Sequence, residues 1–436
     1  MKKYLALILG VLFVLSFAAS AFAIHAEIPS ETTATVAKGA TQITLGGELR
    51  VRGWYQNNIV SGLPADSNSQ AWYDQRVRLS LDATVAPGVE GFVQLESSNG
   101  INGSATADNY VWGSQDPLGA AGTNGGNKTS DLKVLQAWIL YSGSGLLGFN
   151  SGLKIGHMPL ALGHMEFFDH TKFGDDAIVF FMDPTKQLHV GLLTIKFMEG
   201  ATSDNTDDLD GYVGLMTYKV NDTASLGVNY TYLNNSDGDF SHQNLGIHGK
   251  ASFAGVGLKG AADLQFGESG STDFGGYAVM LGADFKLNPV TLRANFAMGS
   301  GDDDATDNDN DAFITYLGAD QHYTLVYEYR VIPAGGATAT GLNNTTYYNL
   351  GVDYAASKDL SMSLDGYILR ATEEIADGAD KDAGWEVDAK IKYALAKNLS
   401  YQFDAGYFDA GDMYEDGYGI DAKSVTVLRH TLTLSF

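Results

Sequence analysis

Apolar and polar side chains alternate with a period of two over most of the chain. In residues 384–394, for example, Trp385 and Val387 occupy odd positions while Glu386 and Asp388 occupy even ones. This is the period of a β-strand, whose successive side chains point to opposite faces. Comparable segments recur along the chain, and their length of roughly 8 to 13 residues is close to what a tilted transmembrane strand needs. The pattern predicts an all-β fold.

The connections between these segments alternate between short and long. Short connections occur at 86–88, 183–185, 220–222, 288–289, 357–359 and 396–398. Longer, acidic connections occur at 57–71, 99–131, 201–210, 301–311, 373–382 and 411–421. Short turns at one end and long loops at the other are typical of an antiparallel up-and-down transmembrane β-barrel with periplasmic turns and extracellular loops. Placing every short turn on one side predicts about 20 strands, or about 18 if the two weakest segments, 176–182 and 312–317, are not strands.

The N-terminus has the features of an export signal. Lys2 and Lys3 precede an apolar run, and Ala-Phe-Ala at 21–23 forms a small-residue cleavage site. We therefore expect a signal peptide over residues 1–23, cleaved after Ala23. A flexible lead over residues 24–40 and a β-barrel over residues 41–436 are expected to follow.

The composition narrows the possible functions. The chain has no cysteine, so disulfides do not hold the exported fold together. Removal of Lys2 and Lys3 from the 27 basic residues leaves 25 against 52 acidic residues, a net charge of −27. Nucleic acid is excluded as a partner because phosphate binding needs a basic face.

The last segment, 425–436, has the clearest strand pattern and ends on an aromatic residue. Its apolar face ends with Leu432, Leu434 and Phe436. A terminal amphipathic strand leaves an unpaired apolar edge unless it closes onto another strand, so we expect pairing with the strand that begins near Ile43. His430 falls on the same, lipid-facing side, and its facing therefore tests the predicted register.

This ending resembles the C-terminal strand of Gram-negative outer-membrane β-barrels. In that family the terminal phenylalanine and the alternate apolar residues before it are recognised by the barrel-assembly machinery, which implies this role for Leu432, Leu434 and Phe436. With the hairpin pattern and the signal peptide, the chain is similar to general porins and to barrels of the alginate-export type. The resemblance implies a channel for passive diffusion of small hydrophilic solutes or ions. It also implies a place in the bacterial outer membrane among lipid and lipopolysaccharide, as a monomer or homotrimer.

Four arginines mark the predicted lumen side of the first hairpin. If the hairpin is symmetric about Pro64, Arg50 lies opposite Arg78 and Arg52 lies opposite Arg76. Like charges placed directly opposite each other destabilise a sheet. Two sources of compensation are open: a passing anionic solute, or the carboxylates of Glu48, Asp74, Asp82 and Glu96. If the carboxylates compensate, the arginines form ion pairs that make the wall rigid. If an anionic solute does, they form the basic side of a constriction.

The connection after His157 resembles, by its position, the third loop of porins, which folds into the barrel and narrows it. The resemblance implies that Glu166, Asp169 and Lys172 line the constriction. His164, Glu166 and His170 also offer nitrogen and oxygen ligands for Zn²⁺ or another transition metal. Their spacing matches no metalloenzyme motif, and ordinary hydrogen bonds or ion pairs are the alternative.

The acidic run at 301–311 lacks the central glycine and terminal glutamate of an EF-hand loop. It predicts a solvated loop with no more than loose association of divalent cations. No other cofactor is expected.

Two other functions stay open. A barrel that sheathes or docks a partner protein, such as an electron-transfer cytochrome, predicts a lumen filled only in the complex. An outer-membrane enzyme needs a catalytic group, and the sequence contains neither G-x-S-x-G nor H-E-x-x-H. Because charges recur on the lumen side of many predicted strands, the pattern favours the channel.

Overall fold

The computed structural model of the chain describes residues 35–38, 41–98, 110–112, 131–200, 208–235, 238–304, 306–315, 317, 322–336 and 341–436. The predicted signal peptide lies outside these residues, as does most of the predicted lead. Within the lead, Thr35–Lys38 forms a short strand that pairs with the start of the next one.

The described residues form one sheet of 22 strands, of which 18 long ones form a closed antiparallel barrel. In chain order they are β1 (Thr35–Lys38), β2 (Thr41–Gln56), β3 (Gln70–Ala86), β4 (Val89–Ser98), β5 (Tyr110–Val111), β6 (Asp131–Gly143), β7 (Ser151–Met158), β8 (Asp175–Met182), β9 (Leu188–Met198), β10 (Leu209–Asn221), β11 (Ala224–Asn235), β12 (Phe240–Phe253), β13 (Val256–Ser269), β14 (Thr272–Phe274), β15 (Tyr277–Lys286), β16 (Val290–Gly299), β17 (Asp309–Asn310), β18 (Thr345–Ala355), β19 (Leu360–Ala371), β20 (Asp382–Ala396), β21 (Leu399–Ala410) and β22 (Val425–Ser435). The short strands β1, β5, β14 and β17 lie outside the ring. Two short helices, α1 (Tyr327–Arg330) and α2 (Asp412–Tyr418), lie in long connections of the described chain.

The last strand closes the barrel on the first long one, as the sequence predicts. Strand β22 pairs with β2 from Ser435 opposite Glu48 to Val427 opposite Gln56. The backbone N–H groups of Gly47 and Phe436 donate to each other's carbonyl oxygens, at 2.7 and 3.0 Å. All long strands therefore have two hydrogen-bonded neighbours, and the ring has no free edge.

The outward facing predicted for His430 is confirmed. Its ring lies between the rings of Tyr73 and Tyr401, with centroid distances of 5.6 and 6.1 Å. Tyr73 is 46% exposed on the outer face. The imidazole thus lies among aromatic side chains on the outer surface, where its polar atoms cost less than beside lipid tails alone.

Gly47 has no room for a side chain beside the closing strand. A Cβ atom there would lie 2.6 Å from the Phe436 ring and 2.7 Å from the carbonyl oxygen of Arg78. We expect Gly47→Val to lower the yield of folded barrel several-fold, because the branched side chain pushes the terminal residue off β2. The heat-modifiable fraction on an SDS gel measures this yield. Gly91→Val is the matched control, since its Cβ would meet its nearest neighbour at 4.0 Å, and equal yields for the two variants would contradict the prediction.

The outer face of the barrel is apolar, whereas charged side chains are buried on its inner face. Leu350 and Ile139 are 72% and 67% exposed on the outer face, whereas Arg52, Asp74 and Glu386 are buried on the inner one. No helix in the described part of the chain is long and apolar enough to cross a bilayer. An apolar outer belt around a closed ring of strands is the arrangement that satisfies backbone hydrogen bonds within lipid.

Short turns join the strands at one end and long connections join them at the other, as predicted. The strand count is at the lower end of the predicted range. Segment 176–182 belongs to β8, but 312–317 forms no wall strand among its described residues. The reason is that Phe313 and Leu317 are buried inside the barrel, where they pack with other apolar side chains instead of facing lipid.

Two long connections fold against the inner wall. The third loop (residues 159–174) buries Leu162, Phe167 and Phe168 in one apolar cluster. The seventh loop (residues 300–344) contributes Phe313 to the same cluster and Tyr327 to a second one on the other side of the barrel. Among the described residues, these two loops and the wall that they leave uncovered line the lumen.

Candidate constriction site

The four arginines lie on the inner face of β2 and β3, but their cross-strand partners differ from the prediction. The observed register places Arg50 opposite Arg76, Arg52 opposite Asp74 and Arg78 opposite Glu48. The predicted pairing of Arg50 with Arg78 and of Arg52 with Arg76 is therefore wrong by two residues. Two of the four arginines face a carboxylate across the strands instead of another arginine.

The cause of this error lies in the first loop. Gln56 pairs with Gln70, so the hairpin is centred on residue 63 and not on Pro64. In this register Trp54 lies opposite Trp72, and their rings stack with centroids 5.8 Å apart. A shift of an even number of residues keeps every side chain on its face, which is why the inward facing was predicted correctly.

Carboxylates on the same wall form ion pairs with three of these arginines, Arg52, Arg76 and Arg78. Arg52 Nε and Nη2 donate to the two carboxylate oxygens of Asp74 at 2.8 and 2.9 Å, a bidentate pair. The other pairs are Arg76 with Glu48 at 2.6 Å and Arg78 with Glu96. Asp82, also predicted at this wall, lies nearer the short turns, opposite Thr44.

In three of the wall pairs (Arg52–Asp74, Arg78–Glu96 and Arg429–Asp404) the carboxylate side chain is more deeply buried than the arginine side chain. The Arg76–Glu48 pair has the opposite order, at 9% and 25% exposed. The side chain of Arg429 on β22 is 20% exposed, while that of its partner Asp404 is 3% exposed. The same order holds for Arg78 and Glu96, at 20% and 9%. At Arg52, Arg78 and Arg429 the basic side chain is therefore more accessible to a solute in the lumen than its carboxylate partner.

A cavity of about 570 Å³ lies over this wall. Its basic lining residues are Arg50, Arg52, Arg76, Lys172, Arg293, Lys390 and Arg429. Its acidic lining residues are Asp353, Asp365, Asp388 and Asp404. Tyr323, Tyr329 and Tyr367 supply aromatic surface in the same cavity. Seven basic groups against four acidic ones make the lining positive, in contrast to the acidic chain as a whole.

The seventh loop is fastened to the wall by two carboxylates of β20. Glu386 is fully buried and accepts hydrogen bonds from the backbone N–H groups of Val326 and Tyr327 at 2.7 and 2.8 Å. Asp388 accepts one from Leu325 at 2.9 Å. These anchors were missed by the sequence analysis. Glu386 and Asp388 are neighbours on the inner face of β20 and have no basic residue between them. This was a signal in the sequence that hydrogen-bond donors from another part of the chain contact them.

Arg330 provides a second anchor for the same loop. Its guanidinium lies 5.1 Å from the ring centroid of Trp54 and 5.2 Å from that of Trp72, and its Nε donates to Gln56 at 3.0 Å. Burial lowers the pKa of Arg330 from its ordinary value. The cation is thus held mainly by aromatic faces, and the loop is fixed at both β20 and the first hairpin.

Of the third-loop residues predicted to line the constriction, Lys172 lies in the lining of this cavity, whereas Glu166 and Asp169 do not. Glu166 and Asp169 are 8% and 6% exposed and lie against the wall or within the loop. The Asp169 carboxylate accepts hydrogen bonds from the N–H and the hydroxyl of Thr171. Because Phe167 and Phe168 pack toward the wall, the residues flanking them are carried away from the open lumen.

The three candidate metal ligands are not brought together. His164 Nε2 lies 3.1 Å from the carbonyl oxygen of Gly249, and His170 Nδ1 lies 2.8 Å from a carboxylate oxygen of Asp175. Glu166 lies between the loop and the wall. In the described part of the chain, no three His, Cys, Asp or Glu side chains are arranged to hold a metal ion, either here or in the acidic run at 301–311.

No protein-family model and no curated protein sequence matches the chain. Solved structures do match it. OccK5 (OpdH) of Pseudomonas aeruginosa is 14% identical, with 90% of this chain and 98% of that chain covered and a TM-score of 0.55. For OccK9 (OpdG) of the same organism the identity is 14%, the coverage 90% and 98%, and the TM-score 0.58. The structure of P. aeruginosa OpdK with vanillate is 12% identical, with 90% and 98% covered and a TM-score of 0.54.

The fold is an outer-membrane porin-like β-barrel. The predicted fold class, an all-β transmembrane antiparallel barrel, is therefore confirmed, with 18 strands in the closed ring. At 12 to 14% identity these proteins share the fold of this barrel, and a shared fold does not by itself establish a shared function.

Proposed function

We propose that the chain is a channel through which small anionic solutes cross the outer membrane by passive diffusion. The constriction is formed by the arginine wall of β2, β3 and β22, by Lys172 of the third loop and by the inward part of the seventh loop. The observation that supports this most is the cavity lining, in which seven basic side chains outnumber four acidic ones. Rings of fixed charge at a narrow point set the sign of ion selectivity in other channels.

The acidic extracellular loops act in the opposite direction but at longer range. They attract cations to the mouth, whereas the arginine wall attracts anions at the narrow point. At about 0.15 M salt, interactions beyond about 8 Å are largely screened in open solution, while those in a confined low-dielectric passage are screened less. The constriction therefore determines selectivity at physiological salt.

The aromatic lining suggests planar carboxylates among the solutes. Tyr323, Tyr329 and Tyr367 lie in the same cavity as Arg429 and Arg50, so a flat anion contacts rings and guanidinium groups together. The neighbouring structure of OpdK holds vanillate, an aromatic carboxylate. We propose that this channel also admits aromatic carboxylates of that size.

Purified protein in a planar bilayer tests the proposal. We expect single-channel currents, a reversal potential in a KCl gradient that shows chloride preference, and a reduction of the current by millimolar vanillate. Vanillyl alcohol, which has the same substituted ring and nearly the same size but no carboxylate, is the control solute and should leave the current unchanged. A folded barrel that carries no current would contradict the channel, and co-purification of a lumen-filling partner protein would favour the docking barrel.

The surroundings of the barrel stay predictions. These are contact with outer-membrane lipid and lipopolysaccharide, a state of monomer or homotrimer, and recognition of Leu432, Leu434 and Phe436 by the barrel-assembly machinery. In the closed barrel Phe436 pairs with Gly47 of β2. Recognition of Phe436 by the assembly machinery would therefore come before the barrel closes.

A further inference from the structure

The third loop meets the barrel wall along a seam that contains two buried carboxyl groups. From the loop, Leu162, Gly163, Glu166 and Phe167 face Asn229, His248 and Asp263 of β11, β12 and β13. The space left in this seam is about 10 Å³, room for no more than about one water molecule. Glu166 and Asp263 are 8% and 6% exposed. Neither carboxylate can be solvated by bulk water while the loop is docked.

Few charged or titratable groups face Glu166 in the seam. They are Asp263 and Lys259 from β13, His242 and His248 from β12, Tyr347 from β18, and His164 from the loop itself. Lys259 is exposed to the lumen. Asp263 accepts a hydrogen bond from Asn244 Nδ2 at 2.8 Å. No guanidinium group of the arginine wall is among these neighbours, so the two carboxyl groups lack the compensation that Asp74 and Glu48 receive.

The loop is otherwise held at this seam by contacts that carry no net charge. His164 contacts the carbonyl oxygen of Gly249, and its ring lies edge-on to that of His248 with centroids 5.4 Å apart. Phe167 packs against His242 and Phe313. A negative charge on Glu166 is therefore the main feature that opposes docking.

We propose that Glu166 and Asp263 form a proton-operated latch, in which protonated Glu166 keeps the third loop on the wall and loss of that proton releases the loop into the passage. The released loop cannot move outward through the closed wall, so it moves toward the arginine side and obstructs the cavity that Lys172 lines. A test of the latch by ion current rests on the channel function proposed above.

The direction of the pH dependence follows from burial. Burial raises the pKa of Glu166 from the ordinary value of 4.5 to about 7, with a further rise from Asp263 and opposing effects of backbone N–H groups and Lys259. The docked loop thus holds the proton more tightly than the released loop. Docking is strongest below about pH 4.5 and weakens as the pH rises through about 7, by up to about 300-fold in the docking equilibrium.

Single-channel recording provides the first test. Between about pH 5 and about pH 8 we expect closing events of the wild type to become at least about tenfold more frequent. Glu166→Gln, which stays neutral, should show few closures at both values. Glu199→Gln is the matched control, because it removes an exposed carboxylate at the extracellular end of β9, and it should behave as the wild type. An increase of equal size in Glu166→Gln would overturn the latch.

A second measurement does not need ion current. The chain has no cysteine, so Leu162→Cys places a single thiol in the seam and Ser69→Cys places one on an exposed extracellular loop as the reference. Over the same pH range, maleimide labelling of position 162 relative to position 69 should rise at least about tenfold, and should stay flat when Glu166→Gln is added. Flat labelling without that substitution would overturn the latch. A barrel that labels as expected but passes no current would overturn the channel and leave the latch standing.

Discussion

Replacing Arg52 and Arg76 together by alanine is expected to turn an anion-preferring channel into a cation-preferring one. Two of the seven basic groups in the cavity lining are lost, and the carboxylates of Asp74 and Glu48 lose the guanidinium groups that neutralise them. The lining then has five basic and four acidic groups, with newly uncompensated carboxylates close behind it. The ratio of chloride to potassium permeability should fall by at least about tenfold.

The reversal potential in a KCl gradient measures this change. The double replacement by lysine keeps both positive charges but loses the bidentate pairing of Arg52 with Asp74, so it should keep the sign of selectivity. Arg370→Ala is the matched control: Arg370 shares the outer face of β19 with Ile368, so its loss removes a charge without touching the lumen. An unchanged reversal potential in a folded double alanine variant would mean that the arginine wall is structural only.

The strands of the barrel wall could be predicted because their pattern depends only on residues that are close together in the sequence. The alternation of apolar and polar residues within each strand indicates which side chains face lipid and which face the lumen. The terminal segment ending in Phe436 requires closure onto a strand near Ile43. Both predictions are confirmed, and so is the outward facing of His430. Register was harder, because it depends on where the loop between β2 and β3 is centred. A stack of Trp54 on Trp72 determines this, and alternation contains no signal for it.

The interior was less predictable because its contacts join residues far apart in the chain. Alternation in 312–317 indicated a strand, yet Phe313 packs against Phe167 of the third loop inside the barrel. Likewise, nothing near Val326 indicates that its N–H group will meet Glu386. A polar residue on a lumen face is equally compatible with water, a solute or an inward-folded loop, and only the packed structure distinguishes them.

The second large effect that we expect comes from Glu386, which anchors the seventh loop to β20. Glu386→Ala should release the inward part of the seventh loop and raise the single-channel conductance by about twofold or more, with weaker solute preference. The substitution leaves the buried N–H groups of Val326 and Tyr327 without their acceptor, and each such loss costs about 1 to 3 kcal/mol. Tyr323 and Tyr329 then leave the cavity lining, so block by vanillate should weaken in the same variant.

Graded variants separate loop release from a general loss of structure. Glu386→Gln keeps one acceptor oxygen and should give an intermediate conductance, because one of the two N–H groups stays satisfied. Asp377→Ala removes an exposed acidic residue from the neighbouring extracellular loop and should leave the conductance unchanged. Heat modifiability on a gel shows whether the barrel itself stays closed, since β20 keeps its backbone pairing with β19 and β21. A folded Glu386→Ala barrel with wild-type conductance and wild-type block would mean that Asp388 and Arg330 hold the loop without help from Glu386.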